Sequence, residues 1–306
     1  MAKNIANKLD ALIFIDTNIL LDFYRIRRTD ISMKYLEQIE LHKNIIITSS
    51  QVEMEFKKNR QSAILESISE VKKMNNVNLS VPAILADAKA VEMIKKSKKD
   101  IDEQQKRLKS QIEKILTNPN LHDPVYKSLQ RVFSNKSDIN LNRDNKIRFL
   151  IRNLAKKRFI LGYPPRKNED TSIGDSINWE WIIKCAEITG KHVIIVTRDT
   201  DFGAIHESES YLNDWLLQEF KQRLSQKRKL ILTDKLSKAF QLVEIPVTKE
   251  MIEEEEQVIN YSYQNYKFIE MQEAFKTMQD NLKLKELQES FSKLQLRIGS
   301  IGNENK

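Results

Sequence analysis

The sequence predicts an α/β protein with a central parallel sheet flanked by helices, and three observations predict it. First, four short apolar runs read as strands: Leu12 to Asp16 (LIFID), Asn44 to Thr48 (NIIIT), His192 to Thr197 (HVIIVT) and Leu230 to Thr233 (LILT). Unbroken apolar runs suit strands covered on both faces, whereas half-exposed strands alternate. Second, each run is followed by residues with helical signals, and that alternation belongs to sheets with helices on both sides. Third, acids stand at the carboxyl ends of two of these strands, where such sheets open their functional crevice. Asp16 closes the first, and Asp199 follows the third.

Taken in order, Asp16-Thr17-Asn18 precedes ILLDFY, and Ser49-Ser50 precedes QVEMEFKKNR. Ser50 and Glu53 have the spacing of a capping box, in which a hydroxyl and a carboxylate satisfy the first free N–H groups of a helix. A large helical insertion is expected at about 61–160. Val81-Pro82 breaks the chain there, and Ala83 to Leu116 then reads as a long helix. Ile101, Gln105, Leu108, Ile112 and Ile115 form a heptad-spaced stripe on it. Asn118-Pro119-Asn120 ends that helix, and Val125 to Phe133 reads as another. Gly174-Asp175-Ser176 opens the run INWEWIIKCAEI, and Asp199-Thr200-Asp201 leads through a polar loop to YLNDWLLQEFKQRL. Beyond Ile245-Pro246 the character changes. An acidic run, Glu253 to Glu256, is followed by Met271, Phe275, Met278, Leu282, Leu287, Phe291 and Leu294, spaced for one helical face. The organisation expected is therefore one domain over 1–245 and a C-terminal helical arm over 246–306.

A net charge of +8 points to a polyanionic partner. The basic stretch Arg143, Lys146, Arg148, Arg152, Lys156, Lys157 and Arg158 is the candidate nucleic-acid contact, the plainer alternative being a solvated helix face. One cysteine, Cys185, excludes an internal disulfide and a multi-cysteine zinc site. The four histidines are scattered. Met1 to Asp10 is polar, and no apolar run nears the ~20 residues that span a bilayer, so a cytoplasmic protein without a membrane segment is expected.

The carboxylates carry the chemistry. Asp16 alone is as well explained as a helix N-cap. Glu55 is not. Helical spacing puts Val52, Glu55, Phe56 and Asn59 on one face, and a carboxylate turned towards the core needs a partner or a metal. Asp175 lies at a helix start, where an acid is electrostatically favoured in any case. Asp199 and Asp201 put more charge at a strand end than a turn requires. Carboxylates meeting in one crevice repel one another unless a cation neutralises them, and hard divalent ions prefer oxygen ligands. A metal so held can activate water against a phosphodiester.

These residues resemble the PIN domain family of nucleases. IFIDTNILLD resembles its first motif and IIVTRDTDFG its last. The resemblance narrows to bacterial PIN-like proteins with a long helical insertion, through Glu55-Phe56-Lys57-Lys58-Asn59-Arg60, Gly162-Tyr163-Pro164-Pro165 and Gly174-Asp175-Ser176-Ile177-Asn178-Trp179. It covers roughly residues 11 to 245. It implies a parallel central sheet and a Mg²⁺- or Mn²⁺-dependent nuclease, RNA being the favoured substrate. It implies that Asp16, Glu55, Asp175 and Asp199 bind metal, with Asp201 as an auxiliary acid and Asn18 supporting Asp16. Asn59 and Arg60 either orient Glu55, contact phosphate, or make a plain structural pairing.

Two rivals remain at this point. One is a haloacid-dehalogenase-like phosphotransferase, which needs an acid where Asn18 stands. The other is a non-catalytic PIN-like adaptor. A toxin-like or defence nuclease in the cytosol needs restraint, so a regulatory protein partner is expected. The apolar stripe of the arm is expected to dock, with self-association favoured over the chain's own insertion or a foreign protein.

Overall fold

The computed structural model describes residues 8–73, 82–85, 88–165, 172–207 and 209–261. The arm's stripe from Met271 to Leu294 lies outside them. In chain order the elements are β1 (Ala11–Ile15), α1 (Thr17–Leu21), α2 (Thr29–Leu41), β2 (Ile46–Ser49), α3 (Ser50–Lys73) and α4 (Lys89–Thr117). Then come α5 (Pro119–His122), α6 (Pro124–Phe133), β3 (Asn140–Leu141), α7 (Ile147–Ile160), α8 (Gly174–Thr189) and β4 (His192–Val196). Last are β5 (Gly203–His206), β6 (Glu209–Leu212), α9 (Asp214–Arg223), β7 (Leu230–Thr233) and α10 (Leu236–Leu242). A further helix occupies 249–261.

Five strands form one sheet in the order β3-β2-β1-β4-β7, all parallel. Ile13 pairs with Ile46 on one side and with Ile194 on the other. The four apolar runs are strands for the reason their composition suggested: β1 is buried along its whole length, with helices on both sides of the sheet. Because the strands are parallel, their carboxyl ends share one edge. Asp16, Ser50 and the Thr197–Asp199 segment therefore arrive together.

Two features escape the sequence pattern. β3 has only two residues, too few to show any periodicity. The polar loop after Asp201 is a β5–β6 antiparallel hairpin whose residues alternate between half-buried and exposed, so no apolar run marks it.

The stretch 61–160 divides in two. α6, β3 and α7 place Leu129, Val132, Phe133, Leu141, Ile151 and Ala155 in the core. α4 stands apart from it, with Val91 its one fully buried residue. On its stripe, Ile101 and Leu108 are exposed, while Gln105, Ile112 and Ile115 are half-buried.

The chain separates into two units, 1–255 and 256–306. The first thus continues past Pro246. Met251 is buried, and its carbonyl accepts the Tyr35 hydroxyl at 2.9 Å. Glu255 accepts Leu236 N at 2.5 Å and Ser237 N at 3.1 Å, satisfying the first free amides of α10.

Candidate active site

Asp16 caps α1 with extended backbone, its Oδ1 accepting Thr17 N at 2.6 Å. Its Oδ2 accepts the Thr197 hydroxyl at 2.6 Å and Asn18 Nδ2 at 2.9 Å. Thr197 also accepts Asp199 N at 2.9 Å, so one hydroxyl links the end of β1 to the loop after β4. Asn18 supports Asp16 directly, and its own Oδ1 is buried with no hydrogen-bond partner among the described residues. Burial raises Asp16 to about 6, against the Thr197 and Thr17 hydrogen bonds and with repulsion from Asp199 and Glu55 adding to it.

Glu55 lies on α3 between the buried Val52 and Phe56 and faces the same crevice. Its Oε1 accepts Gln51 Nε2 at 2.6 Å, and its Oε2 accepts the Thr17 hydroxyl at 3.1 Å. Glu53 turns outward to Lys57, 2.6 Å away and one turn on. The capping box, however, is shifted. Ser49, not Ser50, accepts Val52 N, at 3.2 Å, because the buried last residue of β2 already aims its hydroxyl at the helix start.

Asp175 is the second residue of α8. Burial first, then repulsion from Asp16, Glu55, Asp199 and Asp201, pushes it up to about 8. Those four acids are its electrostatic neighbours. Contact is close: a Cβ on Gly174 would fall 2.4 Å from Glu55 Oε1 and 3.0 Å from Gln51 Nε2. Glycine lets the start of α8 abut the Glu55 carboxylate. Asp199 is half-buried, and Asp201 is buried at the start of the turn that leads into β5.

This donor set suits a hard divalent cation. It consists of carboxylates with amide and hydroxyl oxygens between them, and it carries more negative charge than burial tolerates. Among the described residues, no three His, Cys, Asp or Glu side chains are drawn together at ligand spacing.

Other expected residues lie elsewhere. Arg60 does not reach Glu55. It is buried, with Nε 2.8 Å and Nη2 2.7 Å from Asp123 Oδ2, and Nη2 also donates to Ile115 O at 2.6 Å. Tyr24 completes that cluster with a 2.7 Å bond to Asp123. This is the plain structural pairing. Asn59 is exposed, away from the core face it was expected to share. The buried stripe Val52, Phe56, Arg60 steps by four, and each step drifts about 40° around the helix, past Asn59.

In the basic stretch, Arg143, Lys146, Arg152, Lys156 and Lys157 are exposed and Arg148 is half-exposed. Arg158 is not part of that surface. It is buried and binds Glu180 Oε1 at 3.0 Å, Glu219 and the Pro164 carbonyl. Three residues absent from the expected set hold the acids: Thr17, Gln51 and Thr197. Only Gln51 carried a local signal, its spacing of four from Glu55.

No helix among the described residues is long and apolar enough to cross a membrane. No curated protein and no solved structure matches the chain. A family model described as PIN domain matches residues 13–202, which include all five acids of the crevice. PIN domains are generally nucleases. With that match over more than half its length, the chain belongs to the PIN domain family.

Proposed function

We propose that this protein is an endoribonuclease that hydrolyses phosphodiester bonds with a divalent metal, Mg²⁺ or Mn²⁺, held by Asp16, Glu55, Asp175 and Asp199. What supports this reading is that Asp16, Glu55 and Asp199 follow the carboxyl ends of β1, β2 and β4, while Gly174, next to Asp175, lies against Glu55. A bound cation would neutralise the cluster, activate water and stabilise charge on the phosphate.

The chain's own residues do the rest. Thr17 N, Asn18 and Thr197 fix both oxygens of Asp16. Gln51 and Thr17 each hold one oxygen of Glu55. Such support keeps the acids oriented while substrate enters, which is what positioning contributes to rate. Asp201 is an auxiliary acid that raises the local negative potential. The net charge of +8 and the exposed face of α7 supply attraction for RNA that the acidic crevice lacks.

Cleavage of a labelled RNA with Mg²⁺ or Mn²⁺ by wild type, Asp16→Asn and Asp175→Asn tests the reading. Each variant keeps the side chain's shape while removing a charge. Activity is expected to fall by about two or more orders of magnitude with the fold retained. Undiminished metal-dependent cleavage in both variants overturns the assignment.

A further inference from the structure

Three tryptophans have different fates in this chain. Trp179 and Trp181 are fully buried, whereas Trp215 keeps 46% of its surface exposed. Its ring lies beside that of Tyr163, itself 41% exposed, with centroids 5.4 Å apart and planes at 40°. An exposed tryptophan–tyrosine pair is contiguous apolar area, unlike a single scattered side chain, and contiguous area of this kind suits a contact surface.

The pair is rigidly mounted. Asn213 Oδ1 accepts Trp215 N at 3.0 Å and Leu216 N at 3.3 Å, which fixes the start of α9. Tyr163 follows Gly162, whose φ of 72° makes the left-handed turn at the end of α7. Tyr163 N donates to Arg158 O at 3.1 Å. The buried Arg158 guanidinium holds Pro164 O on one side and Glu219, one turn beyond Trp215 on α9, on the other. The ion cluster of Arg158, Glu180, Glu219 and Arg223 therefore clamps together the two segments that display the rings.

Two observations indicate what the rings meet. From Asn145 to Tyr163 the chain contains no acid, and α7 exposes Arg152, Lys156 and Lys157. A polyanion is the complement of that face. The segment that carries Tyr163 is also joined to the helix that carries Asp175. Tyr163 is two residues from Pro165, a reach of at most about 7 Å. Pro165 O accepts the hydroxyl of Ser176, the residue after Asp175, at 3.5 Å.

We propose that Tyr163 and Trp215 form a stacking platform that grips an unpaired base of the substrate strand. This rests on the nuclease reading above. Any base has a π face, so stacking of this kind discriminates strandedness and not sequence. A base paired within a duplex cannot leave its stack without an added cost.

The test uses the full chain with EDTA, a single-stranded RNA oligonucleotide and its blunt duplex. Wild type is expected to bind the single strand more tightly, and the bound strand to shield Trp215, the one exposed indole, from acrylamide quenching. Trp215→Ala and Tyr163→Ala should each weaken single-strand binding by about tenfold, with duplex binding little changed, and Trp215→Phe should recover most of the loss. Unaltered melting temperatures show that each variant folds. Single-strand affinity equal to wild type in both alanine variants overturns the platform. If light scattering then shows that these variants lose self-association, the rings contact a second copy of the chain instead. Wild type that cleaves RNA only with its acids intact, yet binds both oligonucleotides equally, removes the platform and leaves the nuclease. Wild type that neither binds nor cleaves overturns both.

Discussion

The Thr17 hydroxyl donates to Glu55 Oε2 at 3.1 Å, which ties the residue after the first strand's acid to the helix that follows the second strand. Glu55→Gln is expected to abolish cleavage with little change in melting temperature, since the amide keeps an oxygen for Gln51 or Thr17. Glu53→Gln removes only a surface pair with Lys57, about 0.3–0.5 kcal/mol, and should leave activity nearly intact. Parallel kinetics and melts check this, and the opposite pattern would place Glu53 in the crevice.

Stability without metal should fall as pH rises through the range in which Asp175 titrates. Burial, and then its four acidic neighbours, lift its folded value from 3.8 to about 8. The folded state therefore holds this proton more tightly than the unfolded chain. The stabilisation is complete below the unfolded value and is lost as pH passes about 8. Asp16, raised to about 6, adds to the same trend at lower pH. Melts in EDTA between about pH 5 and pH 9 should show wild type losing stability towards alkaline pH. Asp175→Asn should flatten the upper part of that curve and melt higher at its alkaline end. Identical pH profiles would show that Asp175 is not so perturbed. Divalent-ion affinity should rise over the same range, because binding displaces these protons.

Reversing Arg148, Arg152, Lys156 and Lys157 to glutamate should weaken RNA binding for all sequences alike and flatten its salt dependence. Each lost phosphate contact lowers the slope by about 0.7 for a single strand. Arg158→Ala behaves differently. It leaves buried Glu180 and half-buried Glu219 with Arg223 as their one remaining cationic partner among the described residues, and should cost a few kcal/mol of stability, towards the ~3–5 kcal/mol of a broken buried pair. Binding titrations across salt, paired with melts, separate the two effects. A salt slope equal to wild type in the reversed variant clears this face of a role.

Where the chain is cut should decide whether it stays stable. A chain ending at residue 246 loses Glu255, which accepts Leu236 N, Ser237 N and the Tyr35 hydroxyl. It should melt lower by about 5 °C or more, whereas a chain ending at 261 keeps these bonds. If the remaining arm drives self-association, light scattering will find the full chain larger than a monomer and the chain ending at 261 monomeric. Monomers in both cases assign the arm another role.

Local pattern alone identified the four main strands of the sheet and the inward turn of Glu55. Burial on both faces leaves unbroken apolar runs, and LIFID, NIIIT, HVIIVT and LILT could be little else. The spacing of Val52 and Phe56 turned Glu55 inward for a reason local to one helix. Pairings between distant parts of the chain come from packing, which no local pattern records. Thr197 meets Asp16 across 181 residues, and Arg158 meets Glu219 across 61. A basic stretch does not reveal from its own pattern which arginine turns inward, because that depends on the carboxylates of α8 and α9 waiting beneath it. Arg60 likewise finds Asp123 and not Glu55, since the buried stripe of α3 drifts as the helix turns and delivers it to a different neighbour. Local periodicity selects which face is apolar; only packing selects the polar partner that a buried charge requires.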